Sequence, residues 1–128
     1  MMVRCIEGLA EIAFLGGDTR RCRACGDELL EIAESNGLRE LEASARRWRG
    51  EAFLADQAFA QAESELSRAA VQAQDVGRVR LQMDVEAALA RLYEAQGQGD
   101  AAREHGATAS RIAGETKKSL ASSGLEAP

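Results

Sequence analysis

Two cysteines separated by two other residues are the strongest candidates for chemistry in this sequence. Cys22 and Cys25 form a C-x-x-C pair, a spacing found in zinc sites and redox-active dithiols, and Cys5 and His105 offer two further ligands. A specific zinc signature has a second close pair of ligands, which this sequence lacks. His105 is the only histidine, and no catalytic triad is recognisable around it. A metal- or redox-active helical protein therefore stays open as an alternative function.

Two other patterns resemble chemical sites and are better explained as structure. Residues 97–100 (Gly-Gln-Gly-Asp) precede a predicted helix, where free backbone amides can bind phosphate. A phosphate-binding loop also has a lysine and follows a strand, and neither is present, so this segment is a turn. The carboxylates Glu63 and Glu65 have arginines nearby and are typical of a solvated helix face. We expect a protein that is not an enzyme and uses no metal or cofactor.

The composition is that of one helical domain. Apolar residues make up 45% of the 128 residues, charged residues 29% and aromatic residues 4%, and the only proline is residue 128. The formal net charge of −5 opposes binding to phosphate backbones and anionic lipids, so neither nucleic acid nor membrane is an expected partner. Two arginine groups, over residues 20–23 and 46–49, are interpreted as solvated faces.

The location expected from the sequence is the cytoplasm. No run approaches the roughly 18 apolar residues of a membrane span, and the segment 1–14 includes acidic side chains where a signal peptide has an apolar core. Three cysteines are an odd number, which favours reduced thiols over disulfides.

The sequence repeats itself at a constant interval, which equals the spacing between Phe53 and Tyr93. Such self-similarity is the signature of stacked repeats. At this interval the two aromatic residues coincide, and Gly37 coincides with Gly77. Small residues coincide in other columns: Cys5 with Ala45 and Val85, Cys22 with Ala62 and Ala102, and Ala33 with Ala73 and Ala113. Because alanine or valine replaces two of the cysteines elsewhere, we expect those cysteines to act as small core residues.

Each repeat divides into two amphipathic helices, because apolar side chains return at spacings of three and four. The pattern predicts helices over residues 3–15, 19–35, 38–55, 57–75, 79–96 and 100–119, in units 1–37, 38–77 and 78–119, with a frayed tail over 120–128. The loops are so short that neighbouring helices must be antiparallel. One helix pair cannot cover its own apolar face, so the predicted fold is all-α, with three units stacked into a right-handed α-α superhelix.

These units resemble tetratricopeptide repeats, whose motif places small, aromatic and bulky residues at fixed positions of a helix-turn-helix. The matching residues are Gly50, Phe53, Ala62, Leu66 and Ala69 in the second unit, Leu89, Ala90, Tyr93, Ala102 and Ala109 in the third, and Leu9, Ala10, Cys22 and Leu29 in the first. The period is longer than the family's, and the unit-closing proline is absent. Segments 45–69 and 89–105 look like the C-terminal repeat arrays of large bacterial multidomain regulators.

The resemblance implies a protein-interaction module or scaffold, free-standing or part of a bacterial signalling or transcriptional regulator. In this family the first helix of each unit lines a groove that binds the partner. The positions carried over are Glu7, Glu11 and Phe14, then Arg47, Glu51 and Leu54, then Ala87, Arg91 and Glu94. Glutamates replace the lysine and asparagine of members that hold a chaperone's C-terminal carboxylate. A basic or amphipathic helical peptide is therefore the expected partner.

The repeat also predicts which positions are packed and which are open. Ala62 and Ala102 are expected where helices approach most closely, and Glu51 and Arg91 are expected to point into the open groove. The ends of the array are expected to self-associate, as a homodimer or with a neighbouring repeat, because solenoids need polar capping surfaces. The first helix instead presents an apolar series of residues, Val3, Ile6, Leu9 and Ile12.

Overall fold

The periodic segments form helices, as expected from their content of alanine, leucine, glutamate and arginine. The computed structural model describes the backbone of residues 2–123 and the side chains of residues 5–117. Within that range there are six helices and no strand, so the predicted all-α class is confirmed. The helices are α1 (Met2–Leu15), α2 (Thr19–Asn36), α3 (Arg39–Ala55), α4 (Phe59–Asp75), α5 (Val79–Ala95) and α6 (Gly99–Ser123).

The helix boundaries agree with the predicted ones to within a few residues. The largest difference is at α6, which continues to Ser123 rather than ending at residue 119. Residues 124–128 of the predicted tail, and the side chain of Val3, lie outside the described residues. None of the six helices, over the part of the chain described, is long and apolar enough to cross a bilayer.

Five equivalent turns join the helices, and they recur at a constant interval along the chain. Each contains a residue with positive φ, at positions 17, 37, 57, 77 and 97. The following residue donates its backbone N–H to the carbonyl five positions earlier, as in the bonds from Asp18 to Ala13 and from Gln98 to Tyr93, both 2.8 Å. Glycine occupies four of the five positions, and Gln57, with φ of 62°, occupies the third. The same local geometry therefore reverses the chain after every helix.

Each helix packs against the next one along the chain, and α3 also contacts α1 and α5. One cluster of buried side chains joins α1, α2 and α3 and includes Leu29 and Trp48. A second joins α3, α4 and α5 and includes Leu66. The helices come very close at two glycines: a Cβ on Gly50 would lie 2.6 Å from Cγ of Leu66, and one on Gly26 would lie 2.7 Å from Cγ of Arg49. Helix α3 is thus held tightly between α2 and α4.

The columns of small residues are enclosed in the second unit and much less so in the third. Ala62 and Ala73 are completely buried. Their equivalents in the third unit, Ala102 and Ala113, are half-buried and exposed respectively. Among the described residues α6 packs on α5 alone, so its other side has no helix to cover it. The expectation of close packing is met for Ala62, and Ala102 is less enclosed than expected.

Candidate functional site

A small cavity lies between α1, α3 and α5, the helices for which the sequence predicted partner binding. Its volume is about 140 Å³, and most of the side chains around it are charged. Helix α1 contributes Glu7 and Glu11, α3 contributes Ser44, Arg47 and Trp48, and α5 with the turn before it contributes Arg78, Arg80, Leu81 and Asp84. We call this surface the α1–α3–α5 groove. It brings three of the predicted groove residues, Glu7, Glu11 and Arg47, around one opening.

Arg47 lines the groove, and its guanidinium already interacts with neighbouring side chains. Its guanidinium lies 3.9 Å from the centre of the Trp48 ring, an arrangement that favours a cation–π interaction. Its terminal nitrogens lie 3.7 Å from a carboxylate oxygen of Glu51 and 3.8 Å from one of Asp84. The side chain is 19% exposed. Arg47 therefore joins α3 to α5 and offers little free positive charge to a ligand.

Glu51 is buried, which corrects the expectation that it points into the open groove. Its side chain is 1% exposed. Nη2 of Arg91 lies 3.1 Å from each of its carboxylate oxygens and donates a hydrogen bond to Oε2. The sequence pattern placed Glu51 on the correct helix face but gave no sign that Arg47, one turn earlier, and Arg91, one repeat later, enclose it. Glu51 is therefore placed to stabilise the contact between α3 and α5.

The carboxylates of α1 are more accessible than Glu51. Glu11 is exposed. Glu7 is half-buried and accepts a hydrogen bond of 3.2 Å from the hydroxyl of Ser44. On the opposite rim, Arg80 is 84% exposed and lies 3.8 Å from Asp84, while Arg78 is exposed. The groove thus has an acidic side on α1 and a basic side at the start of α5.

The remaining predicted groove residues are divided between packing and solvent. Phe14 is half-buried, with its ring centre 5.9 Å from that of Trp48. Leu54 is half-buried against the second core cluster. Glu94 and Ala87 are exposed on α5. Phe14 is therefore joined to the groove's lining through its contact with Trp48.

A second set of arginines on α3 faces away from the groove and is paired with carboxylates. Arg46 lies 3.2 Å from Glu42 and 3.2 Å from Glu65. Arg49 lies 2.9 Å from Asp27 and 3.2 Å from Glu65. The sequence interpretation of this arginine group as a solvated face is wrong for Arg46, which is 8% exposed. These ion pairs join α3 to α2 and α4 and leave no open positive surface at these two arginines.

The C-x-x-C pair lies inside the protein rather than at a surface. Cys22 is 0% exposed and its thiol lies 3.6 Å from the backbone oxygen of Trp48. Burial, followed by the neighbouring Cys25 and Glu51, raises the pKa of Cys22 to about 12. Burial also raises the pKa of Cys25. Both thiols are held in the protonated form at neutral pH, whereas metal binding and disulfide exchange require a thiolate.

The other two potential metal ligands lie elsewhere in the fold. Cys5 is exposed on α1. His105 is on α6, where its Nδ1 lies 2.6 Å from Oε2 of Glu86 and its ring stacks on Tyr93 at 5.2 Å. Burial, together with Glu63 and Glu86, raises the pKa of that tyrosine. Within the described residues no three histidine, cysteine or acidic side chains form a group that could hold a metal ion.

Six residues that line the groove were not among those predicted from the sequence: Ser44, Trp48, Arg78, Arg80, Leu81 and Asp84. Ser44 and Asp84 occupy one repeat column, one helical turn before Arg47 and Ala87. Extending the predicted face by one helical turn toward each N-terminus would have included them.

Comparison with known proteins gives no match to any protein family, curated protein or solved structure.

Proposed function

We propose that this protein is a tetratricopeptide-like interaction module whose α1–α3–α5 groove binds an amphipathic peptide or protein segment bearing basic side chains. In this proposal the six helices form three stacked units of a right-handed superhelix, with the groove as its concave face. The contacts of α3 with both α1 and α5 support it, because stacking of helix pairs brings their first helices side by side. The five equivalent turns support it as well, since the same turn geometry recurs after each of the first five helices.

The main observation behind the proposed function is which charged side chains around the groove are paired within the protein and which are available to a ligand. Arg47 and Glu51 form ion pairs with other side chains of the protein. The carboxylates of Glu7 and Glu11 lie on the same surface, and the only side-chain hydrogen bond described for either is the one from Ser44. Carboxylates beside a groove attract basic side chains of a ligand and discriminate against acidic ones.

The groove also limits the shape of its ligand. A volume of about 140 Å³ is too small for a folded domain or a large cofactor, and it suits one or two inserted side chains. The buried side chains of Trp48 and Leu81 supply apolar lining, and the exposed Arg78 supplies a positive charge. A helical segment with an apolar face, basic residues toward α1 and an acidic residue toward α5 is complementary to this surface.

The proposal assigns a scaffold role rather than catalysis. The family resemblance adds that such an array serves within, or alongside, a bacterial signalling or transcriptional regulator in the cytoplasm. The competing hypothesis of a metal- or redox-active protein requires accessible thiolates. Burial of Cys22 and Cys25, and the raised pKa values that result, favour the scaffold role.

Fluorescence anisotropy with three labelled helical peptides tests this function. The peptides share one apolar face and carry lysine, glutamine or glutamate on the polar face. We expect the lysine peptide to bind most tightly, and its affinity to fall as salt is raised, because the attraction is electrostatic. We expect Glu11→Lys to weaken its binding by about tenfold, corresponding to about 1.4 kcal/mol.

The matched control is Glu28→Lys, since Glu28 is an exposed glutamate on α2, outside the groove. It changes the net charge by the same amount and should leave the affinity within about twofold. Equal binding of the three peptides, or equal losses in the two variants, would mean that the groove carboxylates do not select the ligand.

A further inference from the structure

The outer face of α1 carries large apolar side chains in contact with water. Leu9 is 41% exposed and Ile12 is 69% exposed. Cys5, one turn earlier on the same face, is also exposed. Exposed apolar side chains clustered on one helix face are typical of an interaction surface.

Five of the six equivalent positions in the other two units are buried, and the sixth, Arg49, is partly exposed. In the second unit the equivalents of Cys5 and Ile12 are Ala45 and Ala52, both 0% exposed in the cluster that α3 shares with α2. In the third unit the equivalents of Cys5, Leu9 and Ile12 are all at most 2% exposed, in the cluster that contains α4: Val85, Leu89 and Leu92. The face of α1 is thus built like those of α3 and α5, which receive α2 and α4.

The opposite end of the molecule presents the complementary surface on α6. Gly26 and Leu66 occupy one repeat column and are buried, whereas Gly106, the third residue of that column, is half-buried. Ala33 and Ala73 are at most 1% exposed, whereas their equivalent, Ala113, is exposed. Gly26 of α2 lies against Arg49 and Ala45 of the following helix α3. Among the described residues no helix follows α6.

We infer that α1 of one copy docks on α6 of a second copy, so that the protein associates head to tail. The contact repeats the packing of α2 on α3 and of α4 on α5, both of which the fold already contains. The inference depends on those observed helix contacts and not on the groove or on its ligand. A second copy is the occupant because both halves of the interface, a large apolar face and a small-residue face, are on this chain.

The closest point of this junction follows from the contact between α2 and α3. A Cβ on Gly26 would lie 2.7 Å from Cγ of Arg49 and 3.3 Å from the backbone oxygen of Ala45. By the repeat, Gly106 takes the place of Gly26, and Leu9 of the second copy takes the place of Arg49. A Cβ on Gly106 would meet nothing within 4 Å in the isolated chain. The space that the junction requires beside Gly106 is therefore open.

This interface is heterologous, because different surfaces of the two copies meet. A head-to-tail dimer keeps one free α1 face and one free α6 face, so it can extend to longer chains. An isologous dimer, in which α1 packs on α1, would instead stop at two copies and leave α6 uninvolved. An experiment that measures whether association stops at two copies, and whether α6 takes part, therefore distinguishes the two arrangements.

Sedimentation equilibrium with two complementary variants tests the inference. Ile12→Asp places a charge in the α1 half, and Gly106→Arg fills the α6 half with a long charged side chain. We expect the unmodified protein to associate in a concentration-dependent way, and each variant alone to associate at least about tenfold more weakly. We expect an equimolar mixture to form one-to-one dimers and no larger species, since one variant keeps its α6 face and the other its α1 face.

Matched controls are Leu15→Asp and Gly114→Arg. Leu15 is 75% exposed on α1, and Gly114 is exposed on α6, and their equivalents in the second unit, Ala55 and Gln74, are also exposed. Both controls should associate like the unmodified protein, and thermal unfolding monitors the fold of all four variants. Self-association of Gly106→Arg at full strength, a mixture that stays monomeric, or an unmodified protein that is monomeric throughout would each overturn the head-to-tail interface.

Discussion

At the scale of single residues, the groove side of α3 is organised around one buried carboxylate. Glu51 is 1% exposed and lies between Arg47 and Arg91, which belong to α3 and α5. A buried carboxylate is stable as an anion only when such partners replace its lost hydration. The repeat places Glu11, Glu51 and Arg91 in one column, yet their surroundings differ: Glu11 is exposed, whereas Glu51 is enclosed. Position in a repeat thus does not determine the role of a charged side chain.

Glu51→Ala is expected to destabilise the protein, whereas Glu11→Ala is not. Removing the Glu51 carboxylate leaves Arg47 and Arg91 without their shared partner, and because both arginines are partly exposed we expect a loss of about 2 kcal/mol. Glu11→Ala should change the free energy of unfolding by less than about 0.5 kcal/mol. Urea denaturation of both variants measures the difference, and equal midpoints would show that Glu51 does not hold α3 to α5.

The cysteines give a second prediction at this scale, through their reaction with a thiol reagent. The pKa of Cys22, raised to about 12 by burial, leaves it about 10⁻⁴ deprotonated at pH 8, compared with about 10⁻¹ for a thiol at its ordinary value of 9.0. Because the shift is upward, the reactivity of Cys22 should stay low until the pH approaches that raised value. Cys5, which is exposed, should react first in the folded protein.

Mass spectrometry after labelling at several pH values identifies which thiols have reacted. Unfolding in urea is the control, since it should make all three thiols equally accessible. Rapid labelling of Cys22 in the folded protein near pH 8 would contradict its placement in the core and would restore the redox alternative.

At the scale of secondary structure elements, the even spacing of the turns is the most regular feature of the chain. Residues 17, 37, 57, 77 and 97 all have positive φ, and the same backbone hydrogen bond follows each of them. Four of these positions are glycine, so that the sequence reveals them as turns. The fifth is Gln57, which gives no such signal. A left-handed conformation costs a residue with a side chain about 1 kcal/mol, which the surrounding helices must offset.

Gln57→Gly is therefore expected to stabilise the protein by about 0.5 to 1 kcal/mol, because glycine adopts positive φ without a steric cost. The reverse change at an equivalent turn, Gly77→Gln, should destabilise it by a similar amount. Thermal and urea unfolding of the two variants measure both effects. The same sign of change in both variants would show that the five turns are not equivalent.

The helices were largely predictable from the sequence, because the signals that define them are local. Helix periodicity and turn glycines act within a few residues, so that the six helices and their limits could be read from the chain. The burial of Arg46 and the differing exposure of Ala62 and Ala102 depend on which helices lie on both sides, and that information is not local. The candidate groove was predicted on the correct helices, but its ion pairs required the contacts between α3 and α5.

At the scale of the whole molecule, α3 contacts four other helices. Buried core side chains and the ion pairs of Arg46 and Arg49 join α3 to α2 and α4. The groove lies where α3 meets α1 and α5. We propose that the groove binds a basic amphipathic segment and that the two ends of the array bind further copies. Ligand binding and self-association then use different surfaces and can occur together.

The most direct test of the proposed function is to map the contact surface of the lysine peptide by NMR. Backbone amide shifts of the labelled protein are followed as the peptide is added. We predict that the largest changes occur in α1, α3 and α5 around Glu7, Glu11, Arg47 and Asp84, and that they weaken in Glu11→Lys. Changes concentrated on the outward faces of α2, α4 and α6, or absent at saturating peptide, would contradict binding in the α1–α3–α5 groove.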